Sequence, residues 1–118
     1  MALKAPGQIA LLEFPQTDLT VGKSRPVLLL ARAAGHYDDW LVCMFSTQLQ
    51  QAILDFDEIV GAEDKDFPSS GLTIPSVIRL ARLALVSSNQ LLGKIGQINW
   101  ERMTRIRRKI AAWITCES

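Results

Sequence analysis

The chain has 118 residues, 48% of them hydrophobic and 21% charged, which is the make-up of one compact globular domain and excludes disordered and fibrous classes. Thirteen basic residues stand against twelve acidic, a net charge of +1, so a protein that coats nucleic acid without specificity is excluded too. A single histidine, His36, and two cysteines, Cys43 and Cys116, with no metal-ligand spacing rule out a histidine-rich metal site and a CxxC redox motif.

Lys4 is followed by a short apolar patch broken at Pro6-Gly7, a poor signal peptide, and no apolar run approaches the roughly 20 residues needed to cross a bilayer. The expected location is the cytoplasm and the expected organisation is one domain over residues 1–118. The segment GQIALLEF, Gly7 to Phe14, between Pro6 and Pro15, predicts the first strand. QTDLTVGKS predicts a loop, because it is polar and carries no helical period. Arg25-Pro26 closes that loop: Pro26 cannot donate to a sheet ladder, so it is expected at the first position of strand two, which runs through Leu30.

A turn around Ala34-Gly35-His36 leads to WLVCMF, residues 40–45, whose unbroken apolar character predicts a strand covered on both faces. Cys43 within it reads as a buried structural thiol, and Cys116 as a thiol at a frayed end. Asp55 to Val60 is a short candidate strand, and DKDFPSSG has the composition of a loop. PSVIRLARLALVSSNQ fits two patterns, since Arg79 and Arg82 are spaced as on one helix face while Val77-Ile78 suits a strand. At the end, Asn99 is a good N-cap and Met103, Ile106, Ile110 and Trp113 or Ile114 recur at helical spacing. An amphipathic helix follows, with Glu101 expected to pair with Arg105 and the later cations expected to complement the helix dipole. Its basic face is expected to be solvated, and Trp40, Trp100 and Trp113 to fill core or interface space.

Five pieces in order carry a family resemblance: a glycine-led first strand ending in Phe-Pro, a loop with Thr-Asp-Leu, Arg25-Pro26, Ser46-Thr47-Gln48 after strand three, and Ser-Gly-Leu with Pro-Ser-Val-Ile-Arg before Leu80. Together with Lys94-Ile95-Gly96 and the helix after it, they span nearly the whole chain and resemble the MazF/PemK-like toxins. The resemblance implies an α+β, mainly β fold: a small, strongly curved, SH3-like antiparallel barrel with a C-terminal helix, working as a homodimer. It favours strand over helix for residues 75 to 86. It also implies an endoribonuclease toxin of a type II toxin-antitoxin system, free of metal and cofactor, that cuts single-stranded RNA and is restrained by a cognate antitoxin. A noncatalytic binding protein on the same scaffold, either like the gyrase poisons or a decayed toxin that only binds its antitoxin, is the alternative.

The catalytic residues the resemblance implies are Arg25, whose guanidinium fork matches phosphate oxygens, and a hydroxyl from Ser46 or, with the register slipped by one, Thr47. Arg79, Gln48 and Lys23 are the expected RNA contacts. Relatives that use an arginine like Arg79 carry an aspartate two positions later, where this chain has Ala81, so the general base stays unassigned; Asp18 and Glu13 are the carboxylates nearest the first loop.

Overall fold

The computed structural model describes residues 4–13 and 24–116. Six strands form one antiparallel sheet: β1 (Gln8–Glu13), β2 (Ser24–Arg32), β3 (Asp39–Ser46), β4 (Glu58–Val60), β5 (Ser76–Ser87) and β6 (Leu91–Gln97), in the spatial order β4-β5-β3-β2-β1-β6. A one-turn helix, α1 (Phe67–Ser70), lies between β4 and β5, and α2 (Trp100–Thr115) ends the chain. The expected mainly β architecture with a terminal helix is therefore present, as a curved sheet that stays open with β4 and β6 as its edges. No helix among the described residues is long and apolar enough to cross a membrane.

The unbroken apolar runs follow from burial of both faces of the sheet. Leu28 and Leu30 of β2 and Cys43 of β3 join Ile9, Ile78, Leu80 and the α2 residues Met103, Ile106 and Ile110 in one core. The alternate residues Val27, Leu29, Trp40 and Val42 join Ala10, Leu12, Val86 and Leu91 in a second core on the other face. Since successive side chains of a strand point to opposite faces, only a run apolar at every position can fill both. Burial pushes the Cys43 thiol far above its ordinary pKa and makes it inert; Cys116, just past α2, is exposed.

Several local expectations change. Strand two starts at Ser24 rather than at Pro26, and Pro26 pairs with Leu11 inside the sheet. Only Glu58–Val60 of the segment from Asp55 is strand. The loop predicted over DKDFPSSG contains α1, closed by Gly71 at φ 76°. Gly71 packs on the backbone of Ile95, and Gly96 on the backbone of Ser69 and Ser70, so a β-carbon at either position would collide with main chain. That close approach, with Ser69 Oγ donating to the Gln97 carbonyl, seats α1 on β6. Residues 75–86 take the strand alternative: β3 pairs along β5, and tertiary pairing overrides the helical spacing of the arginines.

Asn99 does cap α2, its side-chain oxygen accepting from the Arg102 N–H at 2.8 Å. The pair expected between Glu101 and Arg105 is replaced by a long-range cluster. Glu58, buried on edge strand β4, accepts from Arg102, Arg105 and Lys109, which recur at i, i+3 and i+7 on one stripe of α2. Arg102 also donates from Nε to Asp66 Oδ2 at 2.8 Å and from Nη2 to Asp64 Oδ2 at 3.2 Å. A desolvated carboxylate needs charged partners more than the exposed Glu101 does. Arg102 is therefore buried rather than solvated, while Arg105 is ion-paired yet half exposed and Arg107 and Arg108 stay exposed, and the last turn of α2 carries no cation to serve the dipole. Trp40 fills the core as expected, whereas Trp100 and Trp113 are 66% and 46% exposed. Trp113 meets Phe56 edge to face at 5.8 Å.

The cluster makes stability depend on acid. Burial alone would raise the Glu58 and Asp66 carboxyls, but hydrogen bonds from Arg105 and Lys109 to Glu58, and from Arg102 to Asp66, outweigh it and hold both below their ordinary values of 4.5 and 3.8. The unfolded chain thus binds protons that the folded chain refuses. The stabilisation is complete above those ordinary values and is lost as pH falls through the depressed ones. Thermal melts should show a flat Tm from about pH 7 to about pH 5 and a decline below about pH 4. An unchanged Tm down to about pH 2.5 would mean that the cluster contributes nothing.

Candidate active site

The cleft originates at Pro26. The β2–β3 ladder ends at the pair Val27 and Met44. Continued outward, the same register would set Pro26 against Phe45 and Arg25 against Ser46. A proline has no N–H to extend a ladder, and from there β2 keeps its pairing with β1 while Phe45 and Ser46 pair with Ile78 and Val77 of β5. The strands part, and the gap between them is a concavity of about 230 Å³ lined by Arg25, Pro26, Phe45, Ser46, Thr47, Gln48 and Ser76.

Arg25, Ser46, Thr47 and Gln48 are thus brought together although Arg25 lies more than twenty positions from the others. Arg25 is exposed, and the fully buried Val27 anchors the strand behind it. The Ser46 hydroxyl accepts from the Gln48 N–H at 3.1 Å and donates to Gln51 Oε1 at 3.3 Å. Gln48 Oε1 in turn accepts from Gln50 at 2.8 Å. Arg79 is not among the lining residues but stands beside them, Nη1 donating to the same Gln51 oxygen at 3.4 Å. Among the described residues, neither Arg25 nor Arg79 forms an ion pair, whereas Arg102, Arg105 and Lys109 are all paired. Unneutralised guanidinium groups beside side-chain hydroxyls form a surface suited to an anion.

Lys23 and Asp18 lie outside the described residues. Glu13 is exposed at the end of β1, opposite Ser24, and is not part of the lining. Ala81 is exposed on β5, and His36 is exposed in the bend between β2 and β3. Three residues at or around the site escape a reading of the sequence alone. Ser76 lines the cleft while its hydroxyl donates to the Ile74 carbonyl. Gln51 sits at the end of a 3-10 turn over Leu49–Gln51, and Asp57 binds backbone N–H groups on two segments. Ser76 belongs to the Pro-Ser-Val-Ile-Arg piece without a role read from it, and no motif marks Gln51 or Asp57; only the fold brings them here.

The comparisons agree with this architecture. The sequence profile of the family described as "PemK-like, MazF-like toxin of type II toxin-antitoxin system" matches residues 5–114. The chain belongs to that family. Among solved structures, the "Mycobacterium tuberculosis toxin MazF-mt6" is similar at 19% identity and a TM-score of 0.67, over 94% of this chain and 99% of that one. A chain of the "Endoribonuclease in complex with its cognate antitoxin from Mycobacterial species" is similar at 16% identity and a TM-score of 0.68, over 98% and 99%. At these identities the likeness is one of fold. No curated protein sequence matches the chain. For a MazF/PemK-like toxin, the strand-end cleft is the concave surface where the motifs Arg25-Pro26 and Ser46-Thr47-Gln48 meet.

Proposed function

We propose that this MazF/PemK-like toxin is an endoribonuclease that cuts single-stranded RNA at the cleft between Arg25 and Ser46. The observation that carries the reading is the convergence of Arg25, Ser46 and Thr47 on one concavity. In a cut that needs no added metal, the 2′-hydroxyl of the RNA attacks the adjacent phosphorus and the bond to the 5′-oxygen breaks. The 2′-hydroxyl gives up its proton as it attacks and the 5′-oxygen takes up a proton as it leaves, so the products are a 2′,3′-cyclic phosphate and a 5′-hydroxyl. The phosphorane-like transition state gathers negative charge on its non-bridging oxygens. Arg25 supplies two parallel N–H donors to that charge, and the Ser46 or Thr47 hydroxyl orients the phosphate. Arg79 and Gln48 hold the flanking RNA, and Lys23 adds positive charge toward its backbone.

The same reading makes the chain a homodimer held in check by a cognate antitoxin, acting in the cytoplasm. The exposed apolar side chains Leu49, Ile53 and Leu54, next to the cleft in sequence, support a partnered surface.

The direct test is cleavage of a single-stranded RNA by the purified protein in EDTA, with end-group analysis of the products. Cyclic phosphate ends are expected, as is a loss of about 10- to 100-fold in kcat for whichever of Ser46→Ala and Thr47→Ala removes the working hydroxyl. Intact RNA after prolonged incubation, or cutting untouched by both variants, would reject the corresponding part of the proposal.

A further inference from the structure

A defect in the β3–β5 pairing places Arg79. Cys43 and Met44 are consecutive on β3, but their partners on β5 are Leu83 and Arg79, so Leu80, Ala81 and Arg82 bulge out of the ladder. Without the bulge, the register set by Cys43 and Leu83 would bring Arg82 opposite Met44 and carry Arg79 past the end of β3. The bulge therefore decides which arginine stands opposite Met44, within reach of Gln51. It also takes Leu80 out of the ladder, although the Leu80 side chain is fully buried and its backbone N–H needs an acceptor.

Asp57 supplies that acceptor. Its Oδ1 receives the Leu80 N–H at 3.0 Å, and its Oδ2 receives the Ile53 N–H at 2.9 Å. Leu80 directly follows Arg79, and Ile53 comes two residues after Gln51. One carboxylate thus ties together the segments that carry both partners of the Arg79–Gln51 contact, and Gln51 is also the acceptor for the Ser46 hydroxyl.

We propose that Asp57 is a positioning residue, whose carboxylate fastens the bulge after Arg79 to the turn after Gln51 and so fixes Arg79 beside Ser46 at the edge of the cleft. The inference rests on the nuclease reading, in which Arg79 contacts RNA. Asp57 touches no substrate and acts through Arg79; a misplacement of about 1 Å in such a contact is worth up to roughly 100-fold in rate.

A double-mutant cycle in RNA cleavage tests it, with Asp57→Asn, Arg79→Ala and the combined variant compared with the unaltered chain at a temperature where melts show all four folded. Asparagine keeps the size and one acceptor oxygen. D57N is expected to lower kcat/KM about tenfold and R79A at least as much, with the double variant no worse than R79A alone. Asp57→Glu, which keeps two acceptors and the charge, is expected to recover part of the loss. Losses that multiply, or full activity in D57N or in R79A, would overturn the assignment of Asp57 while leaving the nuclease reading in place. Absence of cleavage by the unaltered chain would remove both.

Discussion

Arg25→Ala is expected to lower the kcat for single-stranded RNA cleavage by about 100- to 1000-fold, the range for deleting one preorganised donor to an oxyanion. The reason lies in how the strand holds the group. Arg25 projects from β2 where the ladder to β3 has ended, with half-buried Pro26 next in the chain and fully buried Val27 after it. The backbone beneath the guanidinium is fixed by core packing, while the head stays exposed and without an ion-pair partner among the described residues. Removing it withdraws a donor pair from the transition state and leaves no buried polar group behind. The melting temperature and circular dichroism of the variant should therefore match those of the unaltered chain. Arg25→Lys keeps the charge but loses the planar fork, so an intermediate rate is expected. Undiminished cutting by Arg25→Ala would remove Arg25 from the chemistry and leave the cleft without its main source of charge stabilisation.

The second large effect is on stability. Arg102→Ala is expected to cost about 3–5 kcal/mol, measured by urea unfolding, because it removes one member of a buried ion network. Most of the loss falls on Asp66, whose side chain is 1% exposed and whose only other described donor from beyond α1 is the Asn99 N–H at 3.2 Å. Glu58 suffers less, since Arg105 and Lys109 remain on it. Arg102→Met combined with Asp66→Asn should consequently lose less than the two single changes together, since the second removes the charge that the first strands. Domains of this kind hold only about 5–15 kcal/mol in total, so the single variant should unfold at much lower denaturant. A loss below about 1 kcal/mol would place the network among surface ion pairs of little consequence.

Both residues are cations on regular elements, and the sequence separates them poorly. Arg25 is marked by the Pro26 beside it and by its place in a motif series. Arg102 follows the helix start like any surface arginine, and its neighbours invite a local pairing of Glu101 with Arg105. Local spacing cannot show that Glu58, more than forty positions away on an edge strand, is buried under the same face of α2. Burial supplies the energy that makes the distant pair win over the near one.

The sequence by itself determined the first three strands, the helix with its Asn99 cap, and the set of residues able to bind a phosphate. These depend on local properties: an apolar run, a missing N–H, a capping side chain, a guanidinium. Only the tertiary structure decided that β3 and β5 pair with a three-residue bulge, that Gln51 joins Ser46 to Arg79, and that Asp57 ties Ile53 to Leu80. Those outcomes turn on which segments meet across the sheet. Pairing energy of that kind is shared between distant stretches of chain and is written in neither of them alone.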